Sequence, residues 1–441
     1  MDFTGIVRTV QNKQLTVWLS VGAFAAVVLG TLLAVIDSSL VGIVLGPLAI
    51  AAIAARPRVA VVIAIPIVML PLPIEVAGIG LQYVVLAALE LGVFIGLARR
   101  LTLFKPLIAV LLVSSVLLFC SFYFSVRTVV ASGAALNNLI ALILVLGAVL
   151  AVALAAPDTT RTIKMLAWSG AAVSSYNLLF GGLSVSGRLV SESLNANATG
   201  HIAGIAIVSA VGLAWTTKRG WWLVLVLPSA YVLIGSQSRA ALILIVAGIG
   251  VFVIARMGGR GRVALALALI IGLALAWIPF QAVEDLSFNA GRTDDAAEQS
   301  TRQRTLILGL AFRLIAENPV TGIGYRAFPD YSIEMLRAGL NTHNDYLRIA
   351  VESGLPALIS VLLAGVLVIF TMPKSWPYRE ICLAIVAAAA TSFLFANTMS
   401  LLSVSLPLWV VLGLFWGAQV KRVCPQVTPV PTAIGKPDRQ G

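Results

Sequence analysis

Residues 135–156 read ALNNLIALILVLGAVLAVALAA, a run without a charged side chain. A helix of about 20 apolar residues spans the hydrocarbon core of a bilayer, so this run is long enough to cross a membrane. Comparable runs recur along the chain, and hydropathy places the segments at about 16–36, 40–55, 59–78, 80–98, 104–122, 135–156, 164–182, 201–217, 221–235, 238–255, 263–280, 345–371, 380–394 and 400–419. The sequence therefore predicts an all-α polytopic membrane protein with about 12–14 transmembrane helices.

The composition supports this fold class and excludes others. Of the 441 residues, 60% are hydrophobic and 11% are charged, whereas a soluble domain has about 25% charged residues. The formal net charge is +12, which could indicate a nucleic-acid partner, but the basic residues flank apolar segments and no nucleic-acid motif is present. We therefore expect membrane lipids, and no nucleic acid, around this chain. Cysteines are scattered without metal-ligand spacing, so no metal is expected.

Positive charge alternates along the connections between segments. The clusters lie in every second connection, at Arg56/Arg58, Arg99/Arg100/Lys105, Arg161/Lys164, Lys218/Arg219, Arg256/Arg260/Arg262, Lys374/Arg379 and Lys421/Arg422. The positive-inside rule makes these connections and both termini cytoplasmic. The predicted organisation is a bundle over 1–280 with an outside hairpin at 183–200, a large outside loop or cap over 281–344, further membrane helices over 345–420 and a disordered cytoplasmic tail over 421–441. Within the loop, Arg304 to Glu317 is helix-like and stops at Asn318-Pro319.

Two arginines on the outer side are candidate anion ligands. Arg188 lies in the polar hairpin, which also supplies Asn195, Asn197 and His201, and Arg239 follows Ser236-Gln-Ser238 in an otherwise apolar stretch. An arginine deep in the bilayer costs about 2.5–3.5 kcal/mol, so Arg239 should face an anionic partner or a cavity, unless it snorkels to the headgroups. Guanidinium groups suit phosphate because their planar fork makes two charge-assisted bonds. Together these arginines indicate a site for the headgroup of an anionic lipid, such as a diphosphate.

His343 is the candidate base. It precedes the apolar segment at 345, where Thr342 or Asn344 could cap a helix that has Asp345 in its first turn. The positive end of the helix dipole disfavours an imidazolium, so we expect a neutral imidazole that accepts a proton near pH 7. A histidine that only caps or bonds a loop is the alternative.

Other polar residues carry weaker signals. Glu90 interrupts an apolar segment and is either functional or a hydrogen-bonded structural group. Several loop carboxylates could act as a base or bind sugar hydroxyls, and each is also explained as a solvated charge: Glu192, Asp294, Asp295, Glu298, Asp330 and Glu334. The Gly322-Ile-Gly324 turn lacks the third glycine of a phosphate loop, so we interpret it as chain geometry.

Three stretches in this order resemble a known family. They are the run Thr321-Gly-Ile-Gly-Tyr-Arg-Ala-Phe328 followed by His343-Asn344 and Gly354, the Ser236-Gln-Ser-Arg239-Ala turn, and Arg188 ahead of an Asn-containing stretch. Over about 188–357 they are similar to the signature of the O-antigen ligase and Wzy-type O-antigen polymerase superfamily, the Wzy_C-like membrane glycosyltransferases. The chain departs from that pattern at Ala357, where the family often has glycine, and at Asn195-Ala-Asn197, a loose form of its Pro-Asn.

The resemblance implies a GT-C-type fold in the bacterial cytoplasmic (inner) membrane, with the site at the periplasmic face. It implies inverting, metal-independent glycosyl transfer from an undecaprenyl-diphosphate-linked glycan, without a cofactor. By carry-over, Arg188 and Arg239 would hold the donor diphosphate and His343 would activate the acceptor hydroxyl. The second-rank candidates are Arg304, Tyr325, Arg326, Asn344 and His201.

The acceptor stays open at this stage. Lipid A-core would make the chain a ligase, a second lipid-linked glycan would make it a polymerase, and a chain-length regulator is a possible partner. A transporter of lipid-linked glycan or small solutes is the rival function, but a transporter should gather polar residues near the bilayer midplane. Here the polar residues gather at one face, and only Glu90 favours the rival.

Overall fold

The computed structural model describes residues 49–72, 74–76, 79–128, 133–184, 187–191, 194–257, 294–371, 376 and 378–423. The segments predicted at 16–36 and 263–280, most of 40–55, and the predicted tail from 424 onward lie outside the described residues. The helices are α1 Pro57–Met69, α2 Leu81–Leu97, α3 Lys105–Thr128, α4 Gly133–Ala155, α5 Thr159–Phe180, α6 Ala196–Thr217, α7 Val226–Ser236, α8 Arg239–Arg256, α9 Asp294–Glu317, α10 Phe328–Leu336, α11 Asp345–Thr371, α12 Arg379–Ser392 and α13 Leu402–Val423. Two 3₁₀ segments, Ala98–Phe104 and Gly220–Leu225, precede α3 and α7.

The predicted fold class is confirmed. Within the described ranges, six helices are long and apolar enough to cross a membrane: Arg100–Ser125, Ala135–Ala155, Ala196–Thr217, Arg239–Arg256, Asp345–Phe370 and Leu402–Gln419. Three apolar helical stretches are shorter: Pro57–Met69, Leu81–Leu97 and Gly220–Ser236. Sheet in the described part of the chain is limited to two antiparallel pairs of two-residue strands, β1 Glu75–Val76 with β2 Ile79–Gly80 and β3 Gly182–Leu183 with β4 Leu189–Val190.

Some boundaries differ from the hydropathy prediction. The segment predicted at 59–78 ends at Met69, because Pro71 follows two residues later and does not favour continuation of the helix. The cap helix α9 starts at Asp294, ten residues before the helix-like stretch predicted from Arg304. Helix α6 starts at Ala196, because Asn195 accepts a hydrogen bond from the amide of Ala198 and caps it. The hairpin expected to run to 200 therefore gives way to helix five residues earlier.

Close approaches at glycines fix the directions of three core helices. A side chain at Gly200, near the start of α6, would meet Ser238 at the start of α8, and one at Gly248 would meet Val208 farther along both helices. The two helices therefore run parallel. A side chain at Gly212 would meet Ile381 of α12, and one at Gly248, which lies level with Val208, would meet Ala384. As α6 advances from 208 to 212, α12 therefore goes back from 384 to 381, so α12 runs antiparallel to both helices.

This arrangement defines one end of the bundle, here called the candidate-site end: the starts of α6 and α8 together with the last turn of α12. The carbonyl of Phe393, which follows α12, accepts a hydrogen bond of 2.8 Å from the amide of Asp345. The start of α11 therefore lies at the same end. Residues far apart in sequence, from 188 to 399, are gathered there.

Aromatic and basic side chains mark the other end. Trp221 stacks on Trp222 with ring centroids 3.9 Å apart, and Nζ of Lys164 lies 5.8 Å from the Trp222 ring centroid. Lys164 is near the start of α5, whereas the hairpin of Arg188 follows its end. Tryptophan and lysine are typical of a membrane–water interface. The 22 residues of α5 span about 33 Å at about 1.5 Å per residue, which is the thickness of a hydrocarbon core.

Candidate functional site

Arg188 is bonded to two other elements at the candidate-site end. It precedes β4 in the hairpin, and its Nε donates a hydrogen bond of 2.8 Å to the carbonyl of Ser236. Its second terminal nitrogen donates one of 2.7 Å to Oδ1 of Asn197, in the first turn of α6. The guanidinium therefore joins the hairpin to the turn between α7 and α8.

That turn also carries Arg239. Gln237 has a left-handed φ of 48° that ends α7, and Ser238 caps α8 by accepting a hydrogen bond of 3.4 Å from the amide of Ala241. Arg239 is the first residue of α8, so its positive charge stands beside a helix N-terminus, where free amides favour an anion. Because Arg188 is bonded three residues away, at Ser236, the fold brings these two predicted arginines to one place.

Gly200 makes this approach possible. A side chain there would lie 2.6 Å from Oγ of Ser236 and 2.7 Å from Cβ of Ser238. These distances are shorter than any real carbon contact, so a larger residue would push α6 away from the turn. The short distance between α6 and the turn is what lets Arg188 reach Asn197 and Ser236 at once.

His343 stands immediately before α11, as predicted. Asn344 caps the helix, with Oδ1 accepting a hydrogen bond of 3.0 Å from the amide of Leu347. The side chain of His343 is exposed. Partial burial, and secondly the positive charge of Arg304, lower the pKa of His343 below its ordinary 6.5. The imidazole is therefore neutral at pH 7, as the sequence predicted, although burial and Arg304 account for it rather than the helix dipole alone.

Residues on both sides of His343 are bonded to the segment between α12 and α13. Oγ1 of Thr342 donates a hydrogen bond of 3.1 Å to Oδ1 of Asn397. Asp345 accepts hydrogen bonds of 2.6 Å from the amides of both Thr398 and Met399.

A buried charge ladder extends from Asp345 along α11 and was not found from sequence. The terminal nitrogen of Arg348 lies 2.8 Å from Oδ1 of Asp345, with both side chains almost wholly buried. One turn later, the carboxylate of Glu352 accepts hydrogen bonds from the amides of Arg326 and Phe328. The spacing Asp-x-x-Arg-x-x-x-Glu places these charges on one face of a helix. That spacing is the sequence feature from which the ladder could have been predicted.

The Thr321–Arg326 turn packs on α11 where the helix is broken at Gly354. The amide of Ile323 donates to the carbonyl of Val351 at 2.9 Å, and the amide of Gly324 donates to the carbonyl of Glu352 at 3.0 Å. Gly354 has φ 82° and ψ 165° inside the helix, a conformation that is essentially restricted to glycine. The interpretation of Gly322-Ile-Gly324 as chain geometry agrees with these contacts.

Tyr325 and Arg326 belong to this packing. The ring of Tyr325 is 1% exposed and meets Phe122 edge-on at a centroid distance of 6.4 Å. Burial raises the pKa of Tyr325 to about 12, so its phenol stays protonated. Arg326 has a left-handed φ of 64°, and its amide is bonded to Glu352. Both residues support the cap.

His201 and Glu90 lie inside the bundle. His201 is fully buried in α6, one turn beyond Asn197, and neither ring nitrogen has a hydrogen-bond partner within the described part of the chain. The side chain of His201 is therefore buried, whereas the hairpin prediction placed it at the outer surface. Glu90 in α2 packs its carboxylate against Gly147 of α4. Of the loop carboxylates, Asp330 and Glu334 are exposed, and Glu192 lies outside the described residues.

The comparisons with known proteins identify a family over one part of the chain. Residues 223–362 match the family model Wzy_C, described as O-antigen ligase. This span contains Arg239, the cap, His343 and the broken helix α11, whereas Arg188 precedes it. No curated protein matches the chain. The predicted resemblance to the O-antigen ligase and Wzy superfamily is confirmed over these residues, and it supports a membrane glycosyltransferase-like role in the assembly of O-antigen or lipopolysaccharide.

Proposed function

We propose that this chain, whose residues 223–362 carry an O-antigen ligase domain, transfers a glycan from an undecaprenyl-diphosphate carrier to an acceptor hydroxyl at the periplasmic face. The observation that carries the proposal is the bond from Arg188 to Ser236, three residues before Arg239. It supports a site in which both arginines and the N-terminus of α8 lie at the end of the bundle that also holds His343. Such a group of donors is suited to a diphosphate at a membrane surface.

The arginines would act on the leaving group. As the bond from the anomeric carbon to the diphosphate breaks, negative charge develops on the departing oxygen, and fixed cations stabilise it. Because guanidinium groups already hold that charge, the reaction does not require a divalent ion. The undecaprenyl chain would remain among the apolar helices while its headgroup meets Arg188 and Arg239.

His343 would act on the acceptor. A neutral imidazole takes the proton of the attacking hydroxyl while that oxygen bonds to the anomeric carbon from the side opposite the diphosphate. The configuration therefore inverts in one displacement, and the proton on His343 then passes to solvent. Base catalysis of this kind contributes about 10² to 10⁴ in rate.

The test is transfer by purified protein reconstituted in vesicles with an undecaprenyl-diphosphate oligosaccharide and EDTA. One sample receives lipid A-core and another receives no second acceptor. Glycosylated lipid A-core would identify a ligase, and a ladder of longer lipid-linked glycan would identify a polymerase. Movement of the donor across the vesicle bilayer without a new glycosidic bond would refute the enzyme and favour a transporter.

Variants assign the roles. Arg188→Ala and Arg239→Ala each remove a charge-assisted contact worth about 1.5–3 kcal/mol, so donor affinity should fall by one to two orders of magnitude. The matched control is Arg313→Ala, because Arg313 is an exposed arginine of the cap helix that pairs with Glu317 at 2.8 Å. Unchanged donor binding in the first two variants would remove these arginines from the site.

The substitution at His343 must respect its backbone. Its φ of 51° is left-handed, a region that asparagine tolerates better than most residues. His343→Asn therefore removes the base with less strain than alanine would introduce. We expect donor binding to persist and turnover to fall by about 10² or more, and full turnover would mean that His343 only completes the helix start.

A further inference from the structure

The segment between α12 and α13, Phe393–Met399, is hydrogen-bonded to the residues that precede and follow His343 in the sequence. Before His343, Oγ1 of Thr342 lies within hydrogen-bond distance of two acceptors, Oδ1 of Asn397 at 3.1 Å and the carbonyl of Asn344 at 3.2 Å. After it, the amide of Asp345 donates to the carbonyl of Phe393 at 2.8 Å. A single short segment therefore fixes the residues that flank the imidazole.

The contact after His343 is anchored by a buried carboxylate. Oδ2 of Asp345 accepts from the amides of Thr398 and Met399 at 2.6 Å each, and Oδ1 lies 2.8 Å from Arg348. Asp345 is 0% exposed and Arg348 is 3% exposed. A buried carboxylate with this set of donors is held in one orientation, because losing any of them would leave charge unpaired in an apolar interior.

The backbone at His343 needs such support. A non-glycine residue with φ of 51° sits in a sparsely populated region, and such conformations persist when the surroundings over-determine them. Part of the side chain is exposed to solvent, so packing on the remaining surface of the imidazole does not by itself fix its direction. The restraint must come through the flanking residues.

We propose that Phe393–Met399, acting through Thr342 and Asp345, positions the imidazole of His343 for proton transfer; this inference rests on the transfer reaction proposed above. Thr342, Asp345 and Asn397 are then positioning residues, not catalytic ones. The segment does for His343 what a separate orienting side chain does for many catalytic histidines, but it acts on the backbone rather than on a ring nitrogen.

The charges near His343 can be separated from this effect. Arg304 of α9 lowers the pKa of His343, and Asp345 and Arg348 lie on α11. The segment Phe393–Met399 reads FLFANTM and contributes no ionisable side chain. Changing the contact between Thr342 and Asn397 therefore alters the placement of the imidazole without changing any charge around it.

The test uses an isosteric pair at one position. Thr342→Val removes the hydroxyl but keeps the shape, and Thr342→Ser keeps the hydroxyl. Asn341→Ala is the matched control, since Asn341 is an exposed neighbour. Each variant of the full chain is examined by NMR titration of its histidines and by steady-state transfer kinetics. The protein has two histidines, and buried His201 serves as the internal reference.

The expected result is specific to Thr342→Val. In Thr342→Val the imidazole of His343 should become more exposed to solvent, so its pKa should rise toward 6.5. The kcat should fall about 10-fold or more, while the KM for the donor stays constant. Thr342→Ser and Asn341→Ala should match the parent. Asn397→Ala is the second variant, and it removes the contact between Thr342 and Asn397 while it keeps the hydroxyl of Thr342. The same rise in the pKa of His343 and the same fall in kcat are expected of it, whether or not Thr342→Val folds.

The two proposals fail in different ways. An unchanged pKa of His343 in both Thr342→Val and Asn397→Ala would overturn the positioning role, whatever the kinetics. If the variants show the expected pKa shift but the parent protein makes no glycan product with any acceptor, the segment holds the imidazole of His343 in place, and the proposed transfer reaction is refuted.

Discussion

Gly354→Ala should destabilise the protein more than an alanine elsewhere on the same helix. Gly354 has φ 82° and ψ 165°, and an alanine forced into such a conformation costs about 1–3 kcal/mol. Its Cβ would also overlap the carbonyl oxygen of Val320 and lie 2.6 Å from that carbonyl carbon. Relieving the overlap would move the segment around Val320 away from α11 and weaken the 2.8 Å hydrogen bond from the amide of Leu355 to the carbonyl of Pro319.

One such bond contributes about 0.5–1.5 kcal/mol, so the total loss should be about 1.5–4.5 kcal/mol. The matched control is Gly365→Ala in the same helix, where a new Cβ would meet nothing within 4 Å. That change should be neutral or should stabilise by up to about 1 kcal/mol, the difference in helix propensity. Unfolding of both variants in mixed micelles, followed by tryptophan fluorescence, gives the comparison.

Equal stability of Gly354→Ala and Gly365→Ala would refute the reasoning, because it would mean that the cap turn is not packed against the broken helix. The same displacement should also lower the rate of glycan transfer. Moving the turn away from α11 disturbs the bonds from Gly324 to Glu352 and hence the cap that carries Arg304. Turnover in Gly354→Ala should therefore fall even at a temperature where the variant is fully folded.

Three further predictions follow from single contacts. Tyr325→Phe should leave the free energy of unfolding within about 0.5 kcal/mol of the parent, because the buried hydroxyl has no hydrogen-bond partner among the described residues. Gly147→Ala should destabilise by about 1–3 kcal/mol through overlap with the Glu90 carboxylate, and adding Glu90→Ala should remove most of that cost. The transfer rate should be constant above pH 7 and fall as the pH drops below 6.5, because the pKa of His343 is lowered; Arg304→Gln should raise that pKa and move the fall to higher pH.

Each of these three predictions would be contradicted by a specific result. A loss above about 1 kcal/mol in Tyr325→Phe would reveal a partner for the hydroxyl. An equal cost of Gly147→Ala with and without Glu90 would mean that the carboxylate does not fill that space. Arg313→Gln is the control for Arg304→Gln, and an equal displacement of the pH profile in both would assign it to general charge rather than to proximity.

The sequence predicted the parts of the fold that depend on local pattern. Long apolar runs gave the helix positions, and Asn344 and Asn318-Pro319 gave the start of α11 and the end of α9, because caps and prolines act within a few residues. The start of α6 was missed for a local reason as well. SLNANATGH is polar enough to suggest a loop, but Asn195 is a helix cap and the polar residues after it are buried in the bundle.

Contacts between distant segments could not be predicted in the same way. Asp345 was taken for a first-turn acid suited to the helix dipole, whereas its carboxylate binds the amides of Thr398 and Met399, more than 50 residues later. Those donors are backbone groups, which carry no residue-specific signal. Arg348 and Glu352 were missed because an amphipathic spacing on an apolar helix does not reveal which charges are buried.

The residues that carried the family resemblance therefore divide into two physical groups. Gly322, Gly354 and Tyr325 pack the cap on α11, so their replacement should first lower the stability of the protein. Arg188, Arg239 and His343 stand instead at surfaces where elements meet, bonded through their own or neighbouring backbone. Part of such a motif therefore matches because the scaffold demands it, whereas the proposed transfer depends on Arg188, Arg239 and His343.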